Sequence, residues 1–136
     1  MPRPAAPDSP GRRVPLSVRR WLCAGHAACI AGLSLAPAAW FPSGAAGIPG
    51  VDKAVHFFLY AVLGGLLHWS AGSASASGKS RWLPVAGAAF GLLLEALQGG
   101  LAGWGRGFSW GDSLANAAGV FGAWFLAARR TPSRRP

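Results

Sequence analysis

The amino-acid sequence predicts an all-α polytopic membrane protein: a small bundle of four transmembrane helices with both termini cytoplasmic. Three observations predict it. Of 136 residues, 51% are hydrophobic and only 12% are charged, about half the charge content of an ordinary globular domain. The apolar residues gather into four runs, each near the roughly 20 residues that a helix needs to cross a bilayer core. The basic residues cluster between and beyond those runs.

The first run extends from about Trp21 to Trp40 and the second from about Val51 to Ala71. The third extends from about Trp82 to Trp104, and the fourth, the shortest, from about Asp112 to Ala128. Backbone in hydrocarbon must satisfy its own hydrogen bonds, so all four are read as helices. Trp21, Trp40, Trp69, Trp82, Trp104 and Trp110 fall near the proposed ends, where interfacial indoles concentrate. The connectors suit loops: 42–50 is rich in Gly and Pro, 71–80 (AGSASASGKS) is small and polar, and 99–111 is glycine-rich. Residues 21–128 therefore form the membrane domain. The basic tails 1–20 and 129–136 are expected to be disordered, being too rich in Pro and Arg to pack.

A net charge of +9 could mark a nucleic-acid binder, and the placement of the charges argues against one. No basic stripe interleaves with aromatics as a nucleic-acid surface requires. Eleven of the thirteen Lys and Arg residues lie in the N-terminal segment, the second-to-third connector or the C-terminal segment. The other two, Lys53 and Arg106, lie on the opposite side, which by the positive-inside rule is external. Ala36-Pro37-Ala38 after a basic region resembles a signal-peptide cleavage site, but the length of the first run favours a retained helix.

One of only four acids, Glu95, interrupts the apolar run LLLEALQ. A carboxylate at membrane depth costs at least about 2.5 to 3.5 kcal/mol and normally faces the protein interior with a partner. The other polar residues gather at the same, outer end of the bundle. Asp52, Lys53, His56 and Tyr60 open the second helix; Glu95 and Gln98 close the third; Arg106 and Ser109 follow in the loop; Asp112 and Asn116 open the fourth. At about 100° per residue, Asp52, His56 and Tyr60 fall within roughly 80° of arc, and Asp112, Asn116 and Gly119 within about 60°. These faces can line one cleft, in which Arg106, His56 and Lys53 are candidate partners for Glu95.

Simpler readings compete. Asp52 and Asp112 have positions suited to N-caps, and Ser109 with Asp112 has capping-box spacing. Gln98 and Asn116 suit interhelical hydrogen bonds, and Tyr60 an interfacial anchor. Capping does not account for Glu95 or His56, which lie further into their helices. Gly64-Gly65, the Gly87/Gly91 pair and the Ala115/Gly119/Ala123 ridge read as close helix packing.

Cys23, His26 and Cys29 turn through about 240°, too far apart to chelate one ion easily. Both cysteines are expected to be buried and reduced. His26 and His68 lie toward the cytoplasmic ends of their helices, but nothing else supports a haem site. No metal and no cofactor are expected.

Together DKAVHFFLY (Asp52–Tyr60), EALQ (Glu95–Gln98) and RGFSWGDSLANAAG (Arg106–Gly119) resemble the VanZ-like family of bacterial membrane proteins. The resemblance spans about Val51 to Trp124. Asp52, Lys53, His56, Tyr60, Glu95, Gln98, Arg106, Asp112, Asn116 and Gly119 match its characteristic positions. The family is named for an accessory protein of glycopeptide-resistance clusters that favours resistance to teicoplanin, a lipidated glycopeptide. The resemblance implies a small multi-pass protein of the bacterial cytoplasmic membrane and cell envelope, without supplying a reaction.

Two functions follow as expectations. In the first, a non-enzymatic protein binds an envelope lipid headgroup or an amphiphile such as a lipidated antibiotic. Arg106 and Lys53 would meet anionic groups, and Asn116, Gln98 and Tyr60 neutral ones. In the second, a membrane-embedded enzyme uses Glu95 or Asp112 with His56 as acid and base on a lipid-linked substrate. Membrane lipids are the expected partners, and so thin a bundle is compatible with a homo-oligomer or an envelope protein partner. The topology is testable by cysteine labelling at Ser75 and Gly103 after replacement of Cys23 and Cys29. A membrane-impermeant reagent should label Gly103→Cys in intact cells and Ser75→Cys only after permeabilisation; external labelling at Ser75 would overturn the orientation.

Overall fold

The computed structural model describes residues 14–41, 49–72, 78–101, 103, 105 and 107–130. They form four α-helices: α1 (Leu16–Leu35), α2 (Val51–Ala71), α3 (Trp82–Gly100) and α4 (Trp110–Arg130). Short 3-10 turns occupy Ala38–Trp40 and Gly78–Arg81, and no strand occurs among the described residues.

Prolines fix the limits of α1. Pro15 is its N-cap, where a residue without an N–H sacrifices nothing, and α1 thus takes in Leu16–Arg20 from the segment that the sequence places in the tail. Pro37 disfavours helical dihedrals at the residue before it. Ala36 is accordingly extended (φ −66°, ψ 145°), so α1 stops at Leu35 and does not reach Trp40. The fourth helix is not the shortest: α4 runs 21 residues, whereas α3 runs 19 and ends at Gly100 instead of Trp104. Nor is Asp52 a cap. The N-cap of α2 is Gly50 in the left-handed region (φ 83°), a conformation that glycine adopts without strain. Asp52 lies in the first turn, where an acid favours the helix dipole.

Contacts between helix ends fix an up-down-up-down arrangement. Near the start of α1, the Arg19 guanidinium lies 5.1 Å from the Trp69 ring near the end of α2. Gln98, near the end of α3, donates to the Ser34 carbonyl near the end of α1 at 2.6 Å. The α2 and α4 helices are therefore parallel. Lys53 meets Asp112 near their starts, and His68 stacks edge-on against Trp124 nearer their ends, with ring centroids 5.1 Å apart.

The α2–α4 pair is the most extensive contact in the bundle, and glycines permit it. A Cβ at Gly119 would strike the Phe57 carbonyl oxygen and lie 2.9 Å from the Ala61 nitrogen. A Cβ at Gly64 would strike the Val120 carbonyl oxygen and lie 2.9 Å from its Cα. On α3, Gly87 faces Leu67 and Val120, and Gly91 faces Tyr60 and Asn116. Gly65 differs from its neighbour: nothing lies within 4 Å of a Cβ there. Small residues let backbones approach where apolar surroundings provide no drive between helices.

Polar side chains share the interior with an apolar core of Ile30, Leu63, Leu94 and Val120, and large apolar side chains remain outside. Glu95, Gln98 and Asn116 are buried, while Phe58, Leu93, Leu114, Phe125 and Leu126 are exposed. Two helices, Val51–Ala71 and Trp82–Gly100, are long and apolar enough to cross a membrane. The glycine contacts predict unequal substitutions. Gly64→Ala should lower stability by about 1 to 3 kcal/mol through overpacking, whereas Gly65→Ala should be neutral or stabilising by up to about 1 kcal/mol. Thermal unfolding in detergent reads the difference; equal effects would contradict the packing.

Candidate functional site

Three helices bring their polar residues together in layers one turn apart. The upper layer holds His56 of α2, Glu95 of α3 and Asp112 of α4. Four residues along each chain, the layer beneath holds Tyr60, Gly91 and Asn116; a further four give Gly64, Gly87 and Val120. Residues four apart share a helix face, and with α3 antiparallel its numbers descend as the others rise.

Glu95 is almost completely buried, at 1% exposure. Its Oε1 lies 3.7 Å from His56 Nδ1, and its Oε2 accepts a hydrogen bond from the Ser109 backbone N–H at 3.1 Å. Hydrogen bonds to a charged group contribute about 1.5 to 3 kcal/mol each. His56 Nδ1 also donates to Asn116 Oδ1 at 3.0 Å. His56 thus stands between a buried acid and a buried amide, joining the two layers.

The bond to Ser109 also shapes the start of α4. Ser109 Oγ accepts from the Asp112 N–H at 3.2 Å, and the Ser109 carbonyl accepts from the Ser113 N–H and the Ser113 hydroxyl, each at 3.1 Å. This is half of a capping box, in which the acid three residues on would bind the N–H of the cap residue. Here Glu95 of another helix takes that N–H. Asp112 is consequently not the N-cap and is left to face Lys53. Ser109 was expected only as a capping residue; its role in holding Glu95 uses a backbone group, for which a sequence carries no signal.

Lys53 sits at the mouth of the site. Its Nζ lies 3.0 Å from Asp52 Oδ2 and 3.5 Å from Asp112 Oδ1, and its stem crosses Gly111, where a Cβ would lie 2.7 Å from Lys53 Cε. The Lys53 and Asp52 side chains are 49% and 56% exposed, so solvent screens their ion pair. Lys53 pairs with the two aspartates, and Glu95 meets His56 and Ser109. Gln98 is buried but spends its amide N–H on Ser34 of α1. Arg106 lies outside the described residues.

Among the described residues, the buried Tyr60 hydroxyl and Asp112 Oδ1 have no hydrogen bond. Asp112 Oδ1 faces the Lys53 ammonium at 3.5 Å, whereas an unmet hydroxyl costs about 1 to 3 kcal/mol. The Tyr60 ring packs against Gly91 and Phe90 of α3 in the second layer. The cluster is closed below, with Tyr60, Glu95 and Asn116 each about 1% exposed, and among its described residues His56, Lys53 and Asp112 are partly exposed.

Neither a scan of protein-family models nor searches of curated proteins and solved structures gave a match to this chain. The site is therefore read from its own geometry. Two cavities among the described residues are almost wholly apolar and do not include the cluster. One, of about 360 Å³, follows α2 along Val51, Ala54, Val55, Phe58, Leu59 and Val62. The other, of about 300 Å³, lies toward the opposite end, between Arg20, Cys23, Leu67 and Phe90. Cys23 is buried but Cys29 is exposed, contrary to expectation, and both are free. His26 Nε2 donates to the Leu59 carbonyl at 3.0 Å, and His68 faces Trp124; each has a structural partner.

The arrangement offers two kinds of chemistry. His56 can pass a proton between Glu95 and the mouth, and His56, Glu95 and Asp112 present one nitrogen and two carboxylate oxygens within 4.8 Å of one another.

Proposed function

We propose that this chain is a VanZ-like protein of a bacterial cytoplasmic membrane that binds the headgroup of an envelope lipid or other amphiphile at the His56–Glu95–Asp112 end. On this reading it crosses the membrane four times with both termini cytoplasmic. The observation that carries the proposal is the convergence of a buried acid, a histidine and an amide from three helices beneath one half-exposed ammonium. Purely structural pairing has no need of an opening at Lys53.

Several features support the membrane setting. Buried polar residues beneath exposed apolar ones suit lipid as the surrounding solvent. Arg19, Arg20, Arg81, Arg129 and Arg130 all lie at the end opposite Glu95, the distribution expected of a cytoplasmic face. The ligand is read as an amphiphile because the polar cluster lies at the end of a bundle whose α2 carries an exposed apolar face from Val51 to Val62, on the side away from Lys53 and His56, where lipid would lie. A lipidated glycopeptide, the ligand type that the VanZ-like resemblance suggests, combines such a polar group with an apolar chain.

A second reading, an enzyme acting on a lipid-linked substrate, is favoured by the His56–Glu95 approach of 3.7 Å and by the adjacent Tyr60 hydroxyl. The two readings share a site and differ in turnover. Native mass spectrometry of the detergent-purified chain with envelope lipids and a lipoglycopeptide tests both. At least one amphiphile should be retained, and Lys53→Ala or His56→Ala should weaken retention about tenfold, equivalent to about 1.4 kcal/mol. Unchanged retention in both variants would contradict the site, and chemical conversion of the ligand would favour the enzyme.

A further inference from the structure

We propose that His56, Glu95 and Asp112 hold one divalent transition-metal ion of the zinc or manganese kind between α2, α3 and α4. The inference goes beyond headgroup binding and does not depend on it, since it rests on the donor atoms alone.

The three donors lie within 4.8 Å of one another. Around a metal with bonds of about 2.0 to 2.2 Å, tetrahedral ligand atoms are about 3.4 Å apart. His56 Nδ1 and Glu95 Oε1, at 3.7 Å, already approach that spacing. Asp112 must close by roughly an ångström, which rotation of its partly exposed carboxylate permits. Asn116 Oδ1, 3.0 Å from His56 Nδ1, provides a neighbouring oxygen for a fourth position. For binding, the neutral imidazole carries its proton on Nε2 and presents the Nδ1 lone pair, so the change of tautomer needs no other reactant. The mixed nitrogen and oxygen set suits zinc or manganese, whereas calcium takes six to eight oxygens.

Two further observations point to an ion at this place. The Tyr60 hydroxyl, in the layer beneath the cluster, is a buried atom without a hydrogen bond, and Asp112 Oδ1 has no hydrogen bond and faces the Lys53 ammonium at 3.5 Å. A hydrated cation answers both, taking Asp112 directly and reaching Tyr60 through a coordinated water. The surroundings are already those of a metal ligand: the Ser109 N–H fixes Glu95 Oε2 and leaves Oε1 facing His56, as outer hydrogen bonds do around metal carboxylates. Among the described residues, two features oppose a cation, the positive ends of the α2 and α4 dipoles and the Lys53 ammonium. Two carboxylates outweigh the dipoles, and Lys53, half exposed on a flexible stem, can turn to solvent. The sequence contains no local metal motif because the three donors come from three helices.

The test uses the full chain in detergent, stripped with chelator and then equilibrated with zinc chloride or manganese chloride at micromolar concentration. Elemental analysis should find one ion per chain. His56→Ala and Asp112→Asn should each weaken binding at least tenfold, and His68→Gln, which removes an imidazole toward the other end of α2, should leave it unchanged. Should the variants unfold, pulsed electron paramagnetic resonance of manganese in the unaltered chain decides the matter. Modulation from one imidazole nitrogen supports the site. No stoichiometric metal, manganese bound by oxygen alone, or equal losses in His68→Gln and Asp112→Asn would overturn it.

Discussion

The rest of the structure depends on the burial of one carboxylate. Glu95 is 1% exposed in a helix apolar enough to cross a membrane, and a charge withdrawn from water to that degree must be met from every side. Its partners come from different helices. His56 ties α2 to it, and the Ser109 N–H ties the start of α4 to it. Because Glu95 takes the capping role that Asp112 would otherwise have, α4 begins at Trp110 and Asp112 is turned toward Lys53. One side chain thereby sets the register of two neighbouring helices and the charge pattern at the mouth.

Such an arrangement works only if the backbones come close, and the layers below provide for that. Gly91 makes room for Tyr60 and Asn116, and Gly87 for Val120. Gly64 and Gly119 bring α2 against α4 on either side of the same seam. Packing and polar chemistry are therefore two views of one four-residue period. The result is an end with a fixed floor of Tyr60, Glu95 and Asn116 and a looser rim of Asp52 and Lys53, a combination suited to recognising a polar group without reorganising the bundle.

The sequence made much of this legible. The limits of α2 are those expected, Val51 and Ala71, because Gly50 and Gly72 bracket an unbroken apolar run. The gathering of His56, Glu95, Asp112 and Asn116 at one end followed from helical spacing together with alternating direction. What escaped had identifiable causes. Prolines at 15 and 37 outrank hydropathy in setting the limits of α1. The Glu95–Ser109 bond uses a main-chain donor, and Gly64 differs from Gly65 only in the face that each presents. Asp52 was a credible cap until Gly50 took the position with a left-handed dihedral. Arg106, one of the three candidate partners of Glu95, falls outside the described residues, and the family resemblance rests on the three motifs alone.

The central claim is that Glu95 is held by His56 rather than by Lys53. Two double-mutant cycles of thermal unfolding in detergent, run with chelator present, test it most directly: Glu95→Gln with His56→Ala, and Glu95→Gln with Lys53→Met. Residues in one buried network couple by about 0.5 to 3 kcal/mol, whereas independent ones add to within about 0.5 kcal/mol. The account predicts coupling of about 1 kcal/mol or more in the first cycle and additivity in the second. Additivity between Glu95 and His56, with the coupling transferred to Lys53, would contradict it.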